Sequence, residues 1–130
     1  KINIGNLHSS RDFVYVKDTV DGLIKLMSSN KVIGEVINIS SNNSYSIKDI
    51  IEMLSRYTKS KPKIEVQQKR KRTSELNKLR GSNKKIYKLT KWKPKYASKE
   101  NFSNALIETY KWFSEPKNLR HYSDSNKYHM

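Results

Sequence analysis

The sequence predicts an α/β fold in which helices pack on short strands, and three observations carry that reading. Phe13, Val14, Tyr15 and Val16 form a run of aromatic and β-branched residues with no breaker inside it. Val36, Ile37, Asn38 and Ile39 make a short apolar run bounded by polar residues, which suits a buried parallel strand. Apolar residues then recur at helical spacing at Val20, Leu23, Ile24 and Met27, at Ile47, Ile50, Ile51, Leu54 and Tyr57, and at Phe102, Leu106, Thr109 and Phe113.

Taken in order, the chain opens at Lys1 in what reads as the middle of a strand, with Ile2 and Ile4 in alternation, so a preceding segment is expected. Arg11 stands at the start of the next strand, which runs through Val16. Asp18 falls where a helix N-cap belongs, ahead of the Val20 to Met27 stripe. Gly34 and Glu35 lead into the Val36 to Ile39 strand, and residues 40–45 form a polar turn. Ser46 caps the second helix, with Asp49 at the capping-box offset. After a break over residues 59–62, Lys63 to Gln67 alternates polar and apolar as a half-buried strand does. A basic loop follows. Asn83 to Leu89 fits one or two helical turns with Ile86 and Leu89 inward, ended by Trp92-Lys93-Pro94. The last long helix is expected over Ser98 to Ser114. A single folded unit over residues 1–116 therefore precedes a polar tail, 117–130, with Tyr122 and Tyr128 as isolated anchors.

At 130 residues the chain fits one domain. It contains no cysteine, which removes disulfides and thiolate metal sites and is compatible with a reducing cytosol. No apolar run approaches the ~20 residues of a membrane span. The formal net charge is +15, from 27 Lys and Arg against 12 Asp and Glu, and this points first to polyanions. The charge is scattered, however, and only Lys69-Arg70-Lys71-Arg72 is dense. There is no zinc-finger spacing, RNP-type aromatic motif or recognition-helix pattern, so nucleic-acid binding rests on charge alone and would be non-specific. His8, His121 and His129 lack metal-ligand spacing.

The residue with the most chemistry to offer is Arg11. A guanidinium at a strand end can hold a phosphate through bidentate, charge-assisted hydrogen bonds. It can equally pair with a nearby carboxylate, Asp12 included. Asn38, near the carboxyl end of its strand, is either a ligand contact in the crevice where open α/β sheets bind ligands or a buried amide that satisfies turn backbone.

Four stretches resemble, in order, motifs of the extended short-chain dehydrogenase/reductases that act on nucleotide sugars, the NAD-dependent epimerase/dehydratase family. Gly5-Asn6-Leu7 with Arg11-Asp12-Phe13-Val14-Tyr15-Val16-Lys17-Asp18-Thr19-Val20-Asp21-Gly22 resembles G-N-L-x-P-T-R-D-F-x-Y-V-x-D-T-V-x-G. Val36 to Asn42, followed by Ser46-Ile47, resembles V-I-N-I-G-S-G and S-I. Gln68 to Leu79 resembles R-x-R-P-x-x-S-E-V-x-x-L, and Leu89-Thr90-Lys91-Trp92-Lys93-Pro94 resembles L-T-G-W-x-P. The departures are Ser9-Ser10 for P-T, Gln68 for the first arginine, Lys71 for the proline and Ser82 for an aspartate usual after Leu79.

The resemblance implies the C-terminal, nucleotide-sugar-binding part of a Rossmann-type enzyme whose N-terminal domain binds NAD. It implies that Arg11 and Arg70 grip the diphosphate and that Asn38 contacts ribose or phosphate. Arg72, Ser74 and Glu75 are secondary candidates, and a local salt bridge or helix cap explains the last two equally well. No glycine-rich dinucleotide loop and no Tyr-x-x-x-Lys pair occurs in these 130 residues, so no catalytic residue is expected here and the piece alone is expected to be inactive. In the full-length enzyme the resemblance implies 4,6-dehydration of a sugar nucleotide to the 4-keto-6-deoxy sugar. The details look most like UDP-N-acetylglucosamine 4,6-dehydratases of the legionaminic-acid type, a lyase class. An epimerase or decarboxylase of the same superfamily is the close alternative. A cytoplasmic homodimer is the implied setting.

Overall fold

The computed structural model describes residues 1–70 and 76–120. Two small sheets organise it. In the first, β1 (Ile2–Ile4) runs parallel to β4 (Ile64–Val66), with Ile2 opposite Ile64 and Ile4 opposite Val66. In the second, β2 (Ser10–Arg11) lies between β3 (Tyr45–Ser46), to which it is antiparallel, and β5 (Lys78–Leu79), to which it is parallel. Arg11 is thereby opposite both Tyr45 and Leu79.

The expected strand over Phe13 to Val16 does not form. β2 stops at Arg11, and helix α1 already starts at Val16 and runs to Met27. The side chains between them are committed elsewhere. Phe13 packs on the cluster of Tyr45, Met53 and Phe102, and the Tyr15 ring meets Tyr96 edge-on at 4.7 Å.

Asp18 is not the N-cap of α1. Tyr15 holds that position without a side-chain cap, and Asp18, one turn in, is only 2% exposed. Its carboxylate accepts from the backbone N–H groups of Lys95 (2.8 Å) and Tyr96 (2.9 Å), so it fastens α1 to the segment beyond Trp92. The helix faces inward through Asp18 and Gly22, where a Cβ on residue 22 would come 3.2 Å from Ile39 Cγ2 and 3.3 Å from Trp92 Cε2. The stripe predicted to be buried, Val20, Leu23, Ile24 and Met27, is exposed among the described residues.

Val36 to Ile39 pairs with no strand among the described residues, and Val36 is 87% exposed. A short apolar run becomes a buried strand only when a neighbouring strand satisfies its backbone groups, whereas among the described residues the Val36 carbonyl accepts instead from Lys85 Nζ (2.9 Å).

Helix α2 (Ile47–Thr58) begins as predicted. The Ser46 hydroxyl accepts from Asp49 N (3.1 Å) and the Asp49 carboxylate accepts from Ser46 N (2.8 Å), which closes the capping box. Its inward residue is Met53 rather than Tyr57, which is exposed and meets Tyr110 edge-on. Helix α3 (Lys84–Thr90) buries Ile86 completely. Helix α4 (Lys99–Ser114), capped by Ser98, buries Phe102 and Ala105, and Phe102 stacks on Tyr45 with centroids 4.2 Å apart. Toward its end Trp112 and Phe113 are exposed, so the predicted face is buried only over its first half. The segment expected to begin a polar tail opens instead with a helical turn, α5 (Pro116–Leu119). Tyr122 and Tyr128 lie outside the described residues.

Among the described residues no helix is long and apolar enough to cross a membrane, and no group of three His, Cys, Asp or Glu side chains could hold a metal ion.

Candidate functional site

The site is built where the second sheet ends. Parallel pairing brings Arg11 beside Leu79, and Asp12 N continues the ladder by donating to the Leu79 carbonyl (3.0 Å). The Asp12 side chain then turns to two loops. Its Oδ1 accepts from Ser41 N (3.0 Å) and Ser41 Oγ (2.6 Å), and its Oδ2 accepts from Gly81 N (3.2 Å). A carboxylate bonded three ways holds both loops more firmly than neutral acceptors would.

This clamp frames a cleft of about 600 Å³ lined by Arg11, Asn38 and Arg80 together with Asp12, Ser40 and Gly81. Arg11 Nη1 donates to the carbonyls of Ser10 and Leu76, both at 2.9 Å, which fixes the guanidinium plane. Two arginines and one asparagine thus stand among the residues that line the cleft. The carboxylate within it is occupied by backbone and hydroxyl donors. That composition suits an anion with further hydrogen-bonding groups.

The structure brings together two of the three principal site residues read from the sequence. Arg11 and Asn38 share the cleft, whereas Arg70 is not among its walls. Arg70 sits in a 3-10 turn over Gln68–Arg70, with its Nε donating to Gln67 Oε1 (3.0 Å) and its carbonyl packed on Gly5. Arg72, Ser74 and Glu75 lie outside the described residues. Arg80 was not anticipated. Its place follows from the pairing of β2 with β5, strands almost 70 residues apart, and the only local signal was an arginine directly after Leu79.

A larger groove of about 1150 Å³ lies on the other side of Val14, which lines both. Its walls are mainly apolar, Phe13, Phe102, Trp112 and Phe113 among them. At its rim Glu108 accepts from Tyr15 Oη (2.6 Å) and Lys17 Nζ (2.7 Å). The Lys17 and Tyr15 hydrogen bonds hold the Glu108 carboxyl below its ordinary value, while burial and the Glu108 bond push the Tyr15 hydroxyl up. These groups satisfy one another. The cleft of Arg11 is therefore the better seat for an anion despite its smaller volume.

A dinucleotide such as NAD does not fit these residues. Its pyrophosphate needs closely spaced glycines whose backbone it can approach. Here Gly5, Gly22 and Gly81 each lie against protein atoms, and Gly34 stands alone in an exposed turn.

The family model for GDP-mannose 4,6 dehydratase matches residues 1–104. The chain belongs to that family. The GDP-6-deoxy-D-mannose reductase of Pseudomonas aeruginosa is 29% identical over 108 residues, which cover 83% of this chain and 35% of the reductase. Among solved structures, the UDP-glucuronic acid 4-epimerase of Bacillus cereus in complex with UDP-glucuronic acid and NAD is similar with a TM-score of 0.75 at 27% identity, over 86% of this chain and 34% of the epimerase. Epimerase Mth375 of Methanothermobacter thermautotrophicus reaches a TM-score of 0.78 at 25% identity, over 93% of this chain and 35% of that one. This member of the GDP-mannose 4,6-dehydratase family thus spans about a third of the length of the relatives it matches. The expected α/β class, helices packed on short strands in a Rossmann-type short-chain dehydrogenase/reductase fold, is borne out.

Proposed function

We propose that this chain is the nucleotide-sugar-binding, C-terminal part of an NAD-dependent sugar-nucleotide 4,6-dehydratase, and that Arg11 and Asn38 hold the nucleotide diphosphate. The observation that carries the reading is the placing of Arg11 and Asn38 in one cleft at the ends of β2 and β5, in a chain of this family. Arg11 supplies a planar, permanently charged fork for phosphate oxygens, and Asn38 offers an amide with both donor and acceptor to ribose or phosphate. NAD belongs to a part of the enzyme outside these residues, so the task of this chain is to bind and orient the substrate. Arg70 serves, on this reading, as an outer contact for the nucleotide. A cytoplasmic homodimer completes the proposal.

UDP-N-acetylglucosamine is the substrate that the motif details favour. The likeness to a UDP-glucuronic acid 4-epimerase supports a second reading, epimerisation at the sugar's C4. Both use the same diphosphate contacts. Calorimetric titration with UDP-N-acetylglucosamine, UDP-glucuronic acid and GDP-mannose separates the substrates. Arg11→Gln is expected to weaken every nucleotide sugar at least about tenfold, equivalent to ~1.4 kcal/mol. Unchanged affinity in that variant contradicts the proposal.

A further inference from the structure

We propose that the Ser40 hydroxyl is a ligand contact of the cleft, one that takes a sugar hydroxyl of the nucleotide sugar. The inference rests on the nucleotide-binding reading of the cleft and deepens it.

Ser40 lines the cleft together with Arg11 and Asn38 and is only 4% exposed. Its Oγ is buried and has no hydrogen-bond partner among the described residues. Buried polar groups are bonded in the great majority of cases, and one left unpaired costs stability, so such an orphan calls for a reason in function. The next residue shows the contrast, since Ser41 Oγ donates to Asp12 Oδ1 at 2.6 Å. Ser40 also stands where the pattern V-I-N-I-G-S-G has glycine, so its hydroxyl is an addition made by this chain.

The hydroxyl faces residue 81, where a Cβ would come 3.0 Å from Ser40 Oγ, and glycine there places no side chain over it. Because Oγ holds no partner, turning it about the Cα–Cβ bond toward the cleft breaks no hydrogen bond. The Asp12 carboxylate is engaged with Ser41 and Gly81 instead. Phosphate oxygens are matched best by charged donors such as a guanidinium, whereas a serine is neutral and both donates and accepts. Another hydroxyl complements such a group, and a nucleotide sugar carries hydroxyls on its ribose and on its hexose. Ser40 is thus assigned to recognition of a sugar hydroxyl, with no part in bond making.

The test is titration of the chain with UDP, UDP-N-acetylglucosamine and inorganic pyrophosphate, in the native sequence and in Ser40→Ala, Ser40→Cys and Arg11→Gln, with the urea midpoint of each. Ser40→Ala removes a buried hydroxyl that bonds nothing, so its midpoint is expected to equal or exceed the native one. Its affinity is expected to fall about threefold to tenfold for the ligand that carries the hydroxyl, with pyrophosphate unchanged. A loss already present with UDP assigns the contact to the ribose, and a loss seen only with UDP-N-acetylglucosamine assigns it to the hexose. Ser40→Cys, which keeps the shape and bonds more weakly, is expected to fall between. If Ser40→Ala lowers the midpoint, or weakens pyrophosphate as much as the nucleotides, the hydroxyl serves the fold or the phosphates and the inference fails. If Ser40→Ala binds every ligand like the native chain while Arg11→Gln is weakened, the inference fails and the site reading stands. If the native chain binds both nucleotides no better than pyrophosphate, the nucleotide reading fails and this inference with it.

Discussion

Asp12 Oδ2 accepts a hydrogen bond from the backbone N–H of Gly81 at 3.2 Å, joining residues 69 positions apart that both line the Arg11 cleft. The same carboxylate holds Ser41 through two more bonds. One side chain therefore fixes the loop that carries Asn38 and Ser40 and the loop that carries Arg80.

Asp12→Ala leaves two backbone donors and a hydroxyl without their acceptor. Hydrogen bonds to a charged group contribute ~1.5 to 3 kcal/mol each, so the variant is expected to lose about 3 kcal/mol of stability. The check is the urea midpoint at unchanged slope. A loss below about 1 kcal/mol shows that the loops are held by other contacts.

Gly81 is required by close approach. A Cβ there would come 2.6 Å from Ser40 Cβ and 3.0 Å from Ser40 Oγ. Gly81→Ala is expected to cost about 1 to 3 kcal/mol by overpacking. Ser40→Gly removes the obstacle together with a buried hydroxyl that has no partner among the described residues. The double variant is expected to recover most of the loss, a positive interaction measurable in a double-mutant cycle. Additive losses place the strain elsewhere.

Asp49 gives the chain a defined acid response. The Ser46 hydroxyl and then the Ser46 N–H, both bonded to its carboxylate, hold it below its ordinary value of 3.8. A carboxyl depressed in the folded state contributes stability that is present above the unfolded value and lost as pH falls through the folded one. Stability measured downward from neutral pH is expected to decline in that acid window, and Asp49→Asn is expected to flatten the decline. An equal acid slope in the variant assigns the loss to other carboxyls.

How much of this was legible in the sequence depends on the range of the interaction that decides each feature. The Ser46 capping box is closed within four residues, and it forms as read. The α4 cap at Ser98 and the burial of Ile86 also follow from local pattern. Asp18 looked like a cap because caps are local, but its carboxylate is bound by Lys95 and Tyr96, which no spacing near residue 18 reveals. The Val20 to Met27 stripe was read as a core face, yet α1 packs through Gly22, whose missing side chain leaves room for Ile39 and Trp92. In the cleft, Arg11 and Asn38 were found through motif and chemistry. Arg80 depended on the register of two-residue strands, which carry too little pattern to be paired from sequence.

The most direct test of the nucleotide-binding account is amide chemical-shift mapping of the chain during titration with UDP-N-acetylglucosamine. Saturable shifts are expected around Arg11, Asn38 and Gly81, with inorganic phosphate reproducing only part of them. Shifts confined to the Gln68–Arg70 turn, given equally by phosphate alone, would contradict a nucleotide-diphosphate site in the Arg11 cleft.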